Sequence, residues 1–346
     1  MEAVFDFEKP IVNLEKKLQD LKELAKQEGV DFSAEIRLLE QKVITLIDDT
    51  YSKLTPWQRV QLSRHPGRPY SRDYIDLIFP DFMELHGDRT FGDDQAILAG
   101  IAHWNFESPE KPGEFKPVSV LILGHQKGRT TKQKMERNFG MARPEGYRKA
   151  ARLMQMANRF KMPILTLIDT PGAYPGMEAE ERGQSQAIAE NIQLMFGLDV
   201  PILTLVIGEG GSGGALAIGV GNRVVMQEYG TYSVISPESC ASILWSDSSL
   251  AEKASEKLKM SANELLRFEI IDEIAPEPKG GAHRDWPLAA ELLKQTIARN
   301  LNPLIEMSLS SDPKKVKQIK ADRALKFRQI GRMGLTQINP SPGSSN

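Results

Sequence analysis

The segment Pro201–Gly221, PILTLVIGEGGSGGALAIGVG, places five glycines within seven positions directly after an apolar run. Glycine collects where backbone must approach a ligand closely or adopt a positive φ. A strand ending in such a segment and continuing into an Ala-rich helix aims bare N–H groups at one point. The helix start adds partial positive charge there. Such a point binds an anion or stabilises an oxyanion. Three chemistries fit. Gly208, Gly210 and Gly213 spell the G-x-G-x-x-G of a dinucleotide site, with Glu228 at the distance of a ribose-binding acid. Gly210, Ser212 and Gly214 spell the G-x-S-x-G of a hydrolase nucleophile elbow, with Asp272 and His283 downstream in the required order. In the third reading the backbone amides are themselves the catalytic apparatus.

Composition narrows the class. The 346 residues are 40% hydrophobic and 26% charged with a net charge of −2, so a globular chain is expected and a global electrostatic case for nucleic acid is absent. The single Cys240 excludes a disulfide framework or a Cys-based zinc site within the chain. His65, His86, His103, His125 and His283 form no H-x-x-x-H pair, and no metal is assigned. The start, MEAVFDFEKP, lacks the apolar core of a secretory signal, and no apolar run reaches membrane-spanning length. A cytoplasmic protein is expected.

Two heptad-like stripes open the chain: Ile11, Leu14, Leu18 and Leu21, then Ile36, Leu39, Val43 and Leu46, with Gly29 between them. They predict an antiparallel helical hairpin, packed on its own domain or gripping another subunit. Ser63–Tyr70 reads as a Pro/Gly loop at which a new domain begins, and Ser108–Pro117 as a surface connection. Ala96–Trp104 and Val118–Leu123 read as strands. An internal echo follows. PILTLI at Pro163–Ile168 leads into DTPGAYPG, and PILTLV at Pro201–Val206 leads into IGEGGSGG. Helices are predicted over Pro144–Phe160, with Leu153, Met154, Ala157 and Phe160 on one face, over Glu180–Phe196 and over Gly213–Val220. Met154, Met156 and Met162 read as core filling. Arg223–Gln227 and Tyr232–Ile235 are further β runs, and Ser236-Pro237-Glu238 is an N-cap followed by proline at the first helical position. The strand–loop–helix rhythm predicts an α/β fold with largely parallel strands, and ligands at their carboxyl ends. The basic stretch Asp312–Arg332 reads as a solvated helix or as a contact for an acidic partner.

The dinucleotide reading expects a helix of about three turns after the glycines, yet Gly219 and Gly221 interrupt sooner. The hydrolase reading needs Ser212 on a strained turn beside His283, and nothing in the sequence places them together. The backbone reading needs only two glycine loops at adjacent strand ends, which Asp169–Gly176 and Gly208–Gly214 supply; the non-catalytic alternative is a scaffold subunit whose glycine loops only pack and which binds a partner through the helical hairpin.

RHPGRPY (Arg64–Tyr70), GHQKGR (Gly124–Arg129), NFGMARPEGYRKA (Asn138–Ala150), DTPGAYPG, EERGQSQAIA (Glu180–Ala189), GEGGSGGALAIG (Gly208–Gly219), TYSVISPESCASILW (Thr231–Trp245) and PEPKGGAHR (Pro276–Arg284) occur in that order. Together they resemble the α-subunit family of the bacterial-type acetyl-CoA carboxylase carboxyltransferase.

That resemblance implies a ClpP/crotonase-type superhelix of ββα turns with an N-terminal helical hairpin. It divides the chain into an arm at 1–56, a carboxyltransferase domain at 57–298 and a basic tail at 299–346 whose end is expected to be disordered. It implies transfer of a carboxyl group from carboxybiotin, held on a carrier protein, to acetyl-CoA. Malonyl-CoA results, the first committed step of fatty acid synthesis. It implies half a site. A zinc-ribbon β subunit completes a heterotetramer, and biotin carboxyl carrier protein and biotin carboxylase join a larger complex. By the resemblance, Gly210 and Gly211 form the backbone oxyanion hole on the biotin side, with Gly172 and Ala173 as second contributors. Lys127 and Arg129 contact coenzyme A phosphates or the carboxyl group, or serve the surface. Tyr174 packs on biotin or fills the core.

Overall fold

The computed structural model describes residues 4–28, 30–108 and 112–332. Gly29, part of the Ser108–Pro117 connection and the end of the tail lie outside the described residues. Eight strands form one sheet: β1 Met83–Glu84, β2 Ile97–Glu107, β3 Phe115–His125, β4 Ile164–Thr170, β5 Ile202–Gly211, β6 Arg223–Gln227, β7 Thr231–Ser233 and β8 Glu273–Ala275. Their order is β1-β2-β3-β4-β5-β6-β8, with β7 paired to β5. The first two pairings are antiparallel, and every pairing from β3 onward is parallel.

The helices in chain order are α1 Lys9–Glu28, α2 Ser33–Ser52, α3 Pro56–Ser63, α4 Ser71–Ile78, α5 Thr131–Glu136, α6 Pro144–Phe160, α7 Met177–Glu181, α8 Gln184–Gly197, α9 Ser212–Leu216, α10 Pro237–Trp245, α11 Ala251–Leu258, α12 Ala262–Arg267, α13 Trp286–Ser308 and α14 Pro313–Gln329. Among the described residues none is long and apolar enough to cross a membrane.

The echoed strands run side by side and in register, Ile164 opposite Ile202 through Ile168 opposite Val206. Both faces are covered, as their unbroken apolar runs require. One face packs Leu165, Leu167, Leu203 and Leu205 under α13, and the other packs Ile164, Ile168, Ile202 and Val206 with Leu153, Met154 and Ala157 of α6. Ser236 caps α10 by accepting from the Ser239 amide, and Pro237 follows as the motif predicted.

Several expectations need correction. Phe115–Pro117 belong to β3, not to a surface connection. Proline is tolerated there because β4 pairs only with Leu121–Gly124, leaving that end of β3 an edge. The helix predicted over Glu180–Phe196 breaks into α7 and α8 at Gly183, whose φ is +80°. Phe160 is 67% exposed, because α6 ends there and Lys161 turns left-handed. The basic tail is docked rather than merely solvated, with Ile319 and Arg323 fully buried.

The predicted hairpin forms, and its near end packs on its own body. Ile11, Val43, Ile47 and Tyr51 cluster with Leu62 and Tyr229. Arg68, in the loop after α3, is fully buried against Glu277 at 2.8 Å. Residue 298 lies inside α13, so that helix crosses from body to tail without a break.

Candidate functional site

Beyond Ile168 and Val206 the β4–β5 ladder shifts register, and Thr170 comes to lie opposite Gly210. There β5 takes a new neighbour, β7, with Glu209, Gly210 and Gly211 opposite Thr231, Tyr232 and Ser233. The glycine segment is therefore strand through Gly211 and not a loop, and the chain turns only at Ser212. That residue is exposed, has a φ of +53°, and opens the five-residue helix α9.

The two glycine segments meet here. A Cβ on Gly211 would stand 2.0 Å from the Pro171 carbonyl oxygen, and one on Gly214 would stand 2.4 Å from the Ala173 nitrogen. Contacts that short between backbones leave room for glycine alone. Gly210, Gly211, Gly172 and Ala173 are thus brought to one place by adjacent parallel strands. The Gly172 amide donates to Thr170 Oγ1 at 3.1 Å, and that hydroxyl donates to the Gly172 carbonyl at 2.6 Å. Tyr174 is half-buried on the same turn, with the Arg143 guanidinium 4.7 Å from its ring centre.

Beneath the junction lies a cluster of charge. Lys127 Nζ is 2.8 Å from both Asp169 and Glu209, and only 14% of its side chain is exposed. Arg64 bridges Glu209 at 2.8 Å and Glu238 at 2.6 Å. Burial disfavours the Lys127 ammonium, yet the two carboxylates hold its pKa above the ordinary lysine value. Burial pushes Asp169 up against the pull of Lys127. At Glu209 burial is outweighed by Lys127 and Arg64, and its pKa falls. Asp169, Glu209 and Arg64 were missed as site residues. For Asp169 and Glu209 the available signal was the carboxylate that ends each echoed apolar run, in DTPGAYPG and IGEGGSGG, whereas Arg64 in RHPGRPY follows no such run.

Arg129 lies apart from this cluster in its bonding. Its guanidinium is sandwiched 4.5 Å from the Tyr70 ring and 4.4 Å from the Trp286 ring, and pairs with Asp73 and the Pro66 carbonyl. The hydrolase triad does not assemble. Asp272 accepts from the Val224 amide and pairs with Lys326. His283 stacks on His65 at 4.1 Å and meets Glu8 at 2.9 Å. Glu228 donates its amide to the Ala275 carbonyl at the end of β8, and a five-residue α9 replaces the long helix of a dinucleotide fold.

Glu8, His65 and His283 bring one ligand atom each within 4.8 Å of one another, a long-range grouping that a search for local histidine pairs overlooks. The Glu8 carboxylate also accepts from Tyr51 Oη at 2.7 Å and the Phe5 amide at 3.0 Å, so this is a hydrogen-bonded tie between arm and body. A separate cavity of about 350 Å³ opens beside the junction. Ser212, Gly213, Leu216, Tyr232, Leu265, Ile270 and Phe327 are among its lining residues.

The family model described as acetyl co-enzyme A carboxylase carboxyltransferase-like matches residues 4–331. The acetyl-coenzyme A carboxylase carboxyl transferase subunit alpha of Thermus thermophilus is 52% identical over 326 residues, covering 94% of this chain and 98% of that one. The same subunit of Methylococcus capsulatus is 54% identical over 304 residues, covering 88% and 91%. Among solved structures, the transcarboxylase 12S core with methylmalonyl-coenzyme A and methylmalonic acid bound superposes with a TM-score of 0.52 at 18% identity, covering 69% of this chain and 42% of that one. A Pseudomonas malonate decarboxylase hetero-tetramer in complex with coenzyme A gives 0.52 at 16% identity, covering 77% and 98%. These likenesses establish a crotonase-type fold. The sequence matches, near full length and at about half identity, establish more: the chain belongs to the family of acetyl-coenzyme A carboxylase carboxyl transferase α subunits.

Proposed function

We propose that this chain contributes the glycine-lined half of the carboxyltransferase site, where backbone amides hold the negative charge that develops as the carboxyl group leaves its donor. One observation carries the reading: two glycine segments at the carboxyl ends of adjacent parallel strands interlock backbone to backbone. Amides fixed by two strands need no reorganisation when charge appears, and one such donor is worth about 2.7–4 kcal/mol in the transition state. Gly210 and Gly211 serve one side and Gly172 and Ala173 the other. The Gly172 amide already donates to Thr170 Oγ1, which shifts the weight to Ala173.

Biotin on a separate carrier protein is the group implied, and when bound it delivers the carboxyl group from a ureido nitrogen while its ureido oxygen takes up charge. The residues present fit such a group: the backbone at Gly172 faces open space, with nothing within 4 Å of where a Cβ would stand, and the cavity of about 350 Å³ adjoins the junction at Ser212 and Gly213. Tyr174, half-buried on that turn with Arg143 over its ring, is the aromatic that would pack on the donor. Lys127 and Arg129 act within the framework, because their donors are already engaged. In the net reaction the carbon–nitrogen bond to the donor breaks, a carbon–carbon bond from the methyl carbon of acetyl-CoA to the carboxyl group forms, and the proton lost by that carbon ends on the donor nitrogen.

On this reading a zinc-ribbon β subunit holds the enolate and completes a heterotetramer. The carrier protein and biotin carboxylase join the larger complex, and an enzyme drawing on soluble acetyl-CoA works in the cytoplasm. Residues 57–298 form the carboxyltransferase body, with 1–56 as arm and 299–346 as tail. The test is malonyl-CoA-dependent carboxylation of free biocytin, run with this chain alone and after co-expression with a zinc-ribbon β subunit. Activity is expected only in the pair. A folded, assembled pair without activity would overturn the reading.

A further inference from the structure

The β4–β5 ladder is irregular between Ile168 and Thr170, just where the two glycine segments diverge from it. Regular pairing is therefore interrupted between Ile168–Val206 and Thr170–Gly210, and across that gap buried side chains tie the two strands together. Lys127 follows β3, Asp169 stands near the end of β4, and Glu209 directly precedes Gly210 in β5. The Lys127 ammonium lies 2.8 Å from each carboxylate. Asp169 Oδ1 also accepts the Glu209 amide at 3.2 Å. A Cβ on Gly208 would fall 2.4 Å from that same oxygen, so the missing side chain admits the carboxylate between the strands. A Cβ on Gly140 would fall 2.9 Å from Lys127 Cγ, which leaves room for the lysine stem.

We propose that Lys127 is a positioning residue for the reaction: by clamping Asp169 to Glu209 it fixes the spacing of the two glycine segments across the irregular part of the ladder. Arg64 extends the clamp from Glu209 to Glu238 at the start of α10. The inference rests on the reading that the glycine amides hold reaction charge. Buried ion clusters contribute little net stability compared with apolar packing, so the function of this one lies in geometry. A misplacement of about 1 Å is enough to cost a site about 100-fold in rate.

The test uses the assembled pair with the β subunit, in the biocytin assay and by amide hydrogen exchange. The variants are Lys127→Met, the charge-balanced double variant Lys127→Met with Glu209→Gln, and Lys127→Arg. The double variant is expected to fold and assemble, with kcat lowered about 100-fold and the KM for malonyl-CoA within about threefold of the parent, the signature of a contact felt only in the transition state. Amides of 170–174 and 209–214 should exchange faster while the rest of the sheet does not. Lys127→Arg, which keeps the charge, should recover a large part of kcat. A folded double variant with parental kcat overturns the proposal. So does failure of both charge-deleting variants to fold, because the role is then structural. Gly211→Val separates the two layers. If it is inactive while the double variant is active, only this inference falls. If it is active, the amide reading falls as well.

Discussion

Lys127 and Arg323 are both cations taken out of water, and the molecule satisfies them by opposite means. Lys127 sits between two carboxylates at the glycine junction, which hold it charged. Arg323, on α14, turns to neutral acceptors: the Leu198 and Val200 carbonyls and Asn222 Oδ1. Burial, only partly offset by Asp199, brings its pKa down to about 10. Leu198 is the C-cap of α8, so the guanidinium meets the negative end of a helix and anchors the tail. The contrast separates two uses of buried charge. On the proposed reading one holds the glycine backbone at a set spacing, and the other fastens one element to another.

The sharpest break in this comparison is Gly211→Val. A Cβ there strikes the Pro171 carbonyl, so turnover of the assembled pair should fall by at least about 100-fold, read in the biocytin assay. Retained activity would take the backbone out of the mechanism. Next, Lys127→Met leaves the buried Asp169 without its cation, beside a Glu209 held only by Arg64, and denaturant unfolding should show a loss of about 3–5 kcal/mol. Arg323→Met strands no carboxylate. It should cost about 1–3 kcal/mol and leave kcat intact. A larger stability loss for Arg323 than for Lys127 would reverse the comparison.

The tie at Glu8 gives a pH-dependent case. Burial acts to raise its pKa, but His283, Tyr51 and the Phe5 amide outweigh it and bring the group down to about 2. A carboxylate lowered on folding stabilises fully above its ordinary value near 4.5, and that stability is lost as pH falls toward 2. Acid unfolding followed by arm-specific hydrogen exchange should show the arm loosening in that window, and Glu8→Gln should flatten the dependence. The smallest effect is expected at Ser212. Its hydroxyl belongs to no triad, so Ser212→Ala should keep most activity. Complete loss in a folded protein would reopen the hydrolase question.

The strands were legible because sheet buried on both faces demands uninterrupted apolar runs, and PILTLI and PILTLV are such runs. The glycine segments were legible as places of close backbone approach. Their contact was not, since it depends on a register shift that no local pattern encodes. The charge cluster was hidden for a related reason. Lys127, Asp169 and Glu209 lie some forty residues apart, and each alone looks like an ordinary polar residue at a strand end. The tail misled through its composition. Ile319, Arg323 and Phe327 fall on one stripe of α14 facing the body, but an arginine at the centre of that stripe disguises a docked face as a solvated one.

The Glu8–His283 pair joins positions 275 residues apart. A ribosome adding about 5–20 residues per second needs roughly 14–55 s to make the intervening chain. Through that interval the nascent arm has its own two helices and, as each emerges, Leu62 and Tyr229 to pack on, while its hydrogen-bonded tie to His283 does not yet exist. That tie is thus a late event in biogenesis, and a nascent chain stopped short of His283 would carry the hairpin packed but not tied.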